Sequence, residues 1–136
     1  MERKGNIDFG GKFLKDLYPQ FLGIKLLKVE NGRAEVEMEV KKEHLNLFGI
    51  THGGVIFSLA DTALGLASNS SEISSVALNV HINFIRATRE GEVLRAEAVE
   101  VKRTRKTGIY SVKIFDSQNN LVALATGTCY ILSDKK

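Results

Sequence analysis

Cysteine is almost absent: Cys129 is the only one among 136 residues. One thiol excludes an intrachain disulfide framework and any cysteine-built metal site. An intracellular, cytoplasmic home is the expectation for such a chain. Long apolar runs are missing too. The longest, residues 55–67, is too short to span a membrane and is interrupted by Asp61. The N-terminal stretch MERKGNIDFGGKFLKDL has no apolar h-region, so no signal peptide is expected. Proline occurs once, at Pro19, and no linker, repeat or low-complexity segment divides the chain. A single domain over residues 1–136 is therefore expected, with its core at about 20–132.

Several signatures of known chemistry are also absent. No GxSxG elbow is present, which argues against a serine hydrolase. Neither a P-loop nor a dinucleotide fingerprint occurs. No histidines and carboxylates fall at metal-ligand spacing, so neither a metal nor another cofactor is expected. A strong excess of one charge sign is missing as well: 19 Lys and Arg stand against 16 Asp and Glu. The net charge of +3 is too mild to imply a nucleic-acid partner, though it suits an anionic ligand.

What remains is a legible pattern of elements. Phe13, Leu14 and Leu17 lie at helical spacing, predicting a short helix over residues 7–18 that ends at Pro19 and Gly23. Residues 24–30 read as a strand, and Asn31-Gly32 as a hairpin turn. Ala34, Val36, Met38 and Val40 then alternate with three glutamates, as in a strand with one wet face. A loop over 44–51 leads into a long helix at about 52–69. Three or four strands follow. Val76, Leu78, Val80, Ile82 and Phe84 line one face of the first. Residues 92–104 slip phase near Ala98-Val99, predicting a bulge. Residues 107–116 and 121–132 form a hairpin through Ser117-Gln118-Asn119-Asn120. One apolar helix with only antiparallel strands to cover it implies an α+β fold whose sheet curls round that helix.

The central helix carries an anomaly. Gly54, Ser58, Asp61, Gly65 and Ser68 share a small, polar face, while Ile56, Leu59, Ala63 and Leu66 form an apolar one. Small residues in one stripe mean either tight packing or a ligand's close approach. A carboxylate among them is costly unless it is paired or used, so Asp61 is a candidate site residue. The plainer alternatives for it are a solvated edge or a capping role. At the helix start, Thr51 or His52 falls near the N-cap. Gly53 and Gly54 then offer unobstructed N–H groups to a negative oxygen. Asn46, in the preceding loop, carries an amide able to hold a water or a carbonyl; it also suits an ordinary turn. Gly53 and Asp61 are eight residues apart, roughly 12 Å along a helix axis. One carbonyl cannot reach both in the same helix. If both act together, they come from two subunits, which implies a dimer with antiparallel helices and composite sites.

Asn46, Gly49, His52-Gly53-Gly54 and Leu59-Ala60-Asp61-Thr62-Ala63 together resemble the motif of the hotdog-fold acyl-CoA thioesterases, in their phenylacetic-acid-pathway (PaaI-like) branch. Asn83-Phe84-Ile85-Arg86 on a strand and the final Ala123-Leu124-Ala125-Thr126-Gly127 fit as well. The resemblance implies a sheet wrapped round one long helix, in dimers that pair into tetramers. It implies an acyl-CoA substrate hydrolysed to a free acid and CoA. Asp61 matches the aspartate that acts as nucleophile or as general base toward water. Gly53 matches the glycine whose backbone N–H polarises the thioester carbonyl. Asn46 matches the loop asparagine that positions the thioester or the water, and His52 an orienting histidine. A serine or threonine used on the next strand by some members has no clear counterpart in Ser74-Ser75-Val76-Ala77-Leu78-Asn79.

The basic run Lys102-Arg103-Thr104-Arg105-Lys106 is either a solvated hairpin end or a contact for CoA phosphates. Arg86 and Arg89 are weaker candidates for the same role. His44 and His81 read as structural or exposed. Two other functions use similar parts. A hotdog hydratase or dehydratase would pair a histidine with a carboxylate; His52 and Asp61 are both present, but the HGG and LAD arrangement fits a thioesterase better. A non-catalytic acyl-CoA sensor would need an effector module, and the stretch before the first strand is too short for a helix-turn-helix. The acyl group stays open between aryl-acetyl and medium-chain aliphatic.

Overall fold

The structure, a computed structural model, describes residues 9–71 and 73–132. Two short helices, α1 (Phe9–Leu14) and α2 (Leu17–Leu22), precede a hairpin of β1 (Lys25–Glu30) and β2 (Arg33–Glu39). A 3-10 turn at Lys42–His44 leads to the long helix α3 (Gly53–Ser68). The strands β3 (Ser75–Phe84), β4 (Val93–Arg103), β5 (Thr107–Phe115) and β6 (Leu121–Ile131) complete the chain. All six strands join one antiparallel sheet in the order β1-β2-β4-β5-β6-β3. The strand that follows α3 thus ends up at the far edge.

The sheet curls round α3 because its inner positions are small. Ala34, Ala96, Ala98, Ala123 and Ala125 face inward and are buried, letting the helix sit close. Ile56, Leu59, Ala60, Ala63, Leu64 and Ala67 form the buried side of α3. They pack among Val36, Met38, Leu94, Tyr110, Val112, Ile114 and Val122. Each large aliphatic side chain so buried contributes about 1.5–3 kcal/mol. At Gly127 the approach is too close for any side chain: a Cβ there would lie 2.7 Å from Leu64 Cδ2.

The N-terminal region differs from the single predicted helix. It breaks at residues 15–16 into two, and Pro19 lies inside α2 rather than ending a helix. Its place in the first turn costs no hydrogen bond, because first-turn N–H groups have no intrahelical acceptor. Gly23 does end α2, at φ +82°, where its N–H donates to the Gln20 carbonyl. The part of the predicted helix at residues 7 and 8 lies outside the described residues.

Two strand expectations also need correction. The apolar face expected along β3 is not continuous: Val80 and Ile82 pack against the core, Val76, Leu78 and Phe84 are exposed, and the register slips between Ala77 and Asn79. As an edge strand, β3 has a neighbour on one side only. The β4 irregularity falls between Glu100 and Lys102, two residues beyond the predicted slip. Ala98 still faces inward, and it is Val101 that stands out of register at the end of the pairing with β5. The β5–β6 turn holds together through Asp116. Its carboxylate accepts from the Gln118 and Asn120 N–H groups and from Asn120 Nδ2.

Candidate active site

Among the described residues, hollows open beside both the first turn of α3 and its C-terminal half. The first, of about 250 Å3, lies at the N-terminal end and is lined by Asn46, Gly53, Phe84, Arg86 and Val122, among others. His52 is the N-cap of α3, and its Nδ1 accepts from the Gly54 N–H at 3.3 Å. That bond leaves the proton of the neutral imidazole on Nε2. It also corrects the expected pair of open donors, because the Gly54 N–H is already capped. Gly53 is different: among the described residues its N–H donates to nothing. An unpaired first-turn N–H with the positive end of the helix dipole behind it is a donor aimed at an oxygen with partial negative charge.

The loop that presents these groups is built round Asn46. Its Oδ1 accepts from the N–H groups of Phe48 (2.9 Å) and Ile50 (3.3 Å), and its carbonyl accepts from Gly49. Gly49 turns the chain at φ +80°. The two sequence readings of Asn46 are thus compatible. Its oxygen holds the turn, and Nδ2 stays available as a donor beside the hollow. Thr51 anchors the loop from below. It is buried, its backbone pairs with Leu45, and its hydroxyl meets Thr88 Oγ1 at 2.7 Å.

The second hollow, of about 380 Å3, lies further along the same helix and holds Asp61. Phe13, Asp16, Tyr18 and Pro19 line it from the N-terminal segment, and Thr62, Gly65, Leu66 and Asn69 from α3 and its end. Asp61 is not buried, as its apolar surroundings in sequence had implied; its surface is exposed within this chain. The mass of protein around it still removes enough water to raise its carboxyl above the usual value of 3.8. The two observations concern different shells: the side chain meets solvent on one side, and the hollow closes over the other.

The expected polar stripe is also rearranged. The open positions of α3 are Gly54, Phe57, Asp61 and Gly65. Ser58 is only 8% exposed, because α2 lies over it and the Tyr18 hydroxyl meets Ser58 Oγ at 2.9 Å. Ser68 is covered at the helix end, where its carbonyl accepts from Ser75 Oγ. Beside it, burial pushes the Cys129 thiol up in spite of a hydrogen bond with Ser68, and the charge of Asp61 adds to the effect. A thiol held protonated in the core is not a nucleophile.

The structure does not bring all the predicted site residues together. Asn46, Gly53 and Arg86 share the first hollow, His52 caps the helix that begins at Gly53, and Asp61 stands apart in the second. Arg86 is engaged with Glu92 at 3.1 Å and with Asp116 at 3.4 Å. Burial alone would raise Asp116, but the turn's N–H groups and the Arg86 charge outweigh it and hold the carboxyl below its usual range. Arg103, Arg105 and Lys106 lie at the β4–β5 hairpin, at the opposite end of the sheet from the first hollow. There Arg103 Nη2 is buried with no hydrogen-bond partner among the described residues. His44 is buried, with Nδ1 accepting from the Lys41 N–H, and His81 is exposed, as expected. Phe13, Asp16 and Tyr18 are not legible in the sequence as neighbours of Asp61. The Tyr18–Ser58 contact spans forty residues of chain, and no local pattern announces it. Among the described residues, no three His, Cys, Asp or Glu side chains group to hold a metal, and no helix is long and apolar enough to cross a membrane.

Comparison with known proteins gives this arrangement a family. The thioesterase superfamily profile matches residues 48–123, more than half of the chain. A relative from Archaeoglobus fulgidus is 47% identical over 115 residues, covering 85% of this chain and 75% of its own. The acyl-coenzyme A thioesterase PaaI of Escherichia coli is 38% identical over 112 residues, 82% of this chain and 80% of its own. The solved structure of E. coli PaaI, from the phenylacetic acid degradation operon, superposes with a TM-score of 0.88 at 34% identity, covering 90% of this chain and 89% of that one. A Streptococcus pneumoniae hypothetical thioesterase, solved with coenzyme A, superposes with a TM-score of 0.78 at 30% identity, over 82% of this chain and 90% of that one. The curled sheet round one helix, the asparagine–HGG–aspartate motif and these likenesses agree: the chain belongs to the thioesterase superfamily, in its hotdog-fold, PaaI-like branch, and is a thioester hydrolase.

Proposed function

We propose that the protein is an acyl-CoA thioesterase whose active site is assembled from two subunits. The Gly53 N–H and the Asn46 amide come from one chain, and Asp61 from the other. The observation that carries this reading is the separation of the two hollows. Gly53 and Asp61 project from one helix roughly 12 Å apart, and each opens into its own space. Two copies of α3 lying antiparallel would face one half-site toward the complementary half. The sheet edge at β3 supports such pairing, since it ends the sheet and exposes Val76, Leu78 and Phe84. Phe84 also lines the first hollow, which places that hollow next to the same edge. Two such dimers would form the tetramer that the family resemblance implies, and residence in the cytoplasm fits the same reading.

In this site the thioester oxygen receives the Gly53 N–H, a donor worth about 3–4 kcal/mol of barrier once negative charge develops there. Asn46 Nδ2 stands beside it to hold the carbonyl or the water. His52 caps α3 and so keeps the Gly53 N–H pointing outward. Asp61 works ionised in either role, attacking the carbonyl carbon itself or taking a proton from the attacking water. In both cases water is consumed, the C–S bond breaks, and a carboxylic acid and the CoA thiol leave. The CoA phosphates are the natural counter-charge for Arg103, Arg105 and Lys106. Arg86, already paired with Glu92 and Asp116, shapes the first hollow and is available to the phosphates only by leaving those carboxylates.

The test is release of free thiol from a panel of acyl-CoA thioesters by wild type and by Asp61→Asn. Turnover should fall at least about a hundredfold in the variant, as for loss of a nucleophile or general base. Near-wild-type hydrolysis by folded Asp61→Asn protein would remove Asp61 from the mechanism.

A further inference from the structure

The direction of the Gly53 N–H is set by the peptides just before it. His52 sits at φ −60° and ψ 136°, and that ψ orients the plane in which the Gly53 N–H lies. The His52 N–H is held within its own loop, donating to the His44 carbonyl at 2.8 Å. Thr51 is held from outside that loop, by Thr88 in the connection between β3 and β4. The Thr51 N–H donates to the Thr88 carbonyl at 2.8 Å, and the Thr51 hydroxyl donates to the same carbonyl at 3.1 Å. The Thr88 hydroxyl donates in return to Thr51 Oγ1 at 2.7 Å, across 37 residues of chain. Both threonines are buried, and both border the first hollow. We propose that Thr88 is a positioning residue for thioester hydrolysis. Through Thr51 it fixes the line along which the Gly53 N–H meets the thioester oxygen. This inference rests on the reading of that N–H as the oxyanion donor.

Thr88 can position another group because it is itself braced on both sides. Before it, the Arg86 guanidinium donates to the Ala87 carbonyl at 3.2 Å and to Glu92 Oε1 at 3.1 Å. After it, the Arg89 N–H donates to the other oxygen of Glu92 at 2.8 Å. Arg86 also reaches Asp116 at 3.4 Å, which ties this connection to the β5–β6 turn. A hydroxyl pair that only satisfied buried polar groups would add to stability and leave turnover alone. A pair that aims the donor acts on kcat, because the donor's bond strengthens only as negative charge develops on the oxygen. Misplacing such a group by about 1 Å can cost on the order of a hundredfold in rate.

The experiment measures kcat and KM for free-thiol release by the purified full-length wild type, Thr88→Val and Thr88→Ser, on one short and one long acyl-CoA. Valine keeps the shape of threonine and removes the hydroxyl, while the Thr51 hydroxyl still has the carbonyl of residue 88 to donate to. Thr88→Val should lower kcat at least about fivefold, by the same factor on both thioesters, with KM held within about twofold. Thr88→Ser, which restores the hydroxyl, should return kcat to within about twofold of wild type. Each assay is run well below that variant's melting temperature, so that a smaller folded fraction does not imitate the loss. Thr51→Val removes the acceptor of the same bond. It should show the same loss of kcat at constant KM, and it carries the test if Thr88→Val does not fold. A rise in KM with kcat intact would make Thr88 a substrate contact instead. An unchanged kcat, or an equal loss in Thr88→Ser, would make the hydroxyl irrelevant. Each of these results would overturn the inference while the thioesterase reading stood. Absence of thiol release by the wild type from every thioester would overturn that reading and this inference with it.

Discussion

Asp61 carries a charge where the surrounding protein opposes it, and this has consequences for both rate and stability. Its folded carboxyl titrates above 3.8 because partial burial disfavours the ionised form. Catalysis requires that ionised form, so kcat/KM should fall as pH drops through the raised pKa. The acid limb should therefore lie at a higher pH than an ordinary aspartate would give. A pH–rate profile of the wild type checks this, and a limb at or below the ordinary value would contradict it. The stability effect has the opposite sign. Between the unfolded and folded pKa values the native state binds more protons, so stability declines as pH rises through that window. Asp61→Asn removes the penalty. At pH 7 its melting temperature should equal or exceed that of wild type even though its activity is lost, which thermal unfolding beside the thiol assay would show.

Helix α3 and strand β6 meet at Gly127 with no room for a side chain, since a Cβ would approach Leu64 to within 2.7 Å of Cδ2 and 3.1 Å of Cδ1. Leu64 is fully buried and cannot swing away cheaply. Gly127→Val should destabilise by about 1–3 kcal/mol through overpacking, seen as a melting temperature lower by roughly 3–10 °C. An unchanged melting temperature would mean that α3 is free to shift against the sheet. That freedom matters for function, because the same helix presents both the Gly53 N–H and Asp61.

The assembly proposed for the whole molecule can be tested without a structure of the dimer. Asn46→Ala and Asp61→Asn are expected to be impaired separately, each in a different half of a shared site. In a mixed dimer one site receives both lesions and the other receives neither. Unfolding and refolding an equal mixture should then restore roughly a quarter of wild-type activity, if pairing is random and half the dimers are mixed. Mixed dimers that form yet stay as inactive as their parents would exclude the composite site.

Much of this protein was legible from residue order alone. The alternation of Ala34, Val36 and Met38 predicts β2, the apolar run at 55–67 predicts α3, and the HGG and LAD motifs predict the family, because each depends on neighbours a few residues apart. Even the separation of Gly53 from Asp61 follows from helix rise, and the two distinct hollows agree with it. What residue order could not decide lies in contacts between distant segments. The exposure of β3 depends on its place at the sheet edge, and the covering of Ser58 on a tyrosine forty residues earlier. Asp61 looked buried because its sequence neighbours are apolar, yet those neighbours turn toward the sheet and leave it facing a hollow walled by α1 and α2. Periodicity tells which face of a helix is apolar; only the packing of the whole chain decides what stands opposite the other face.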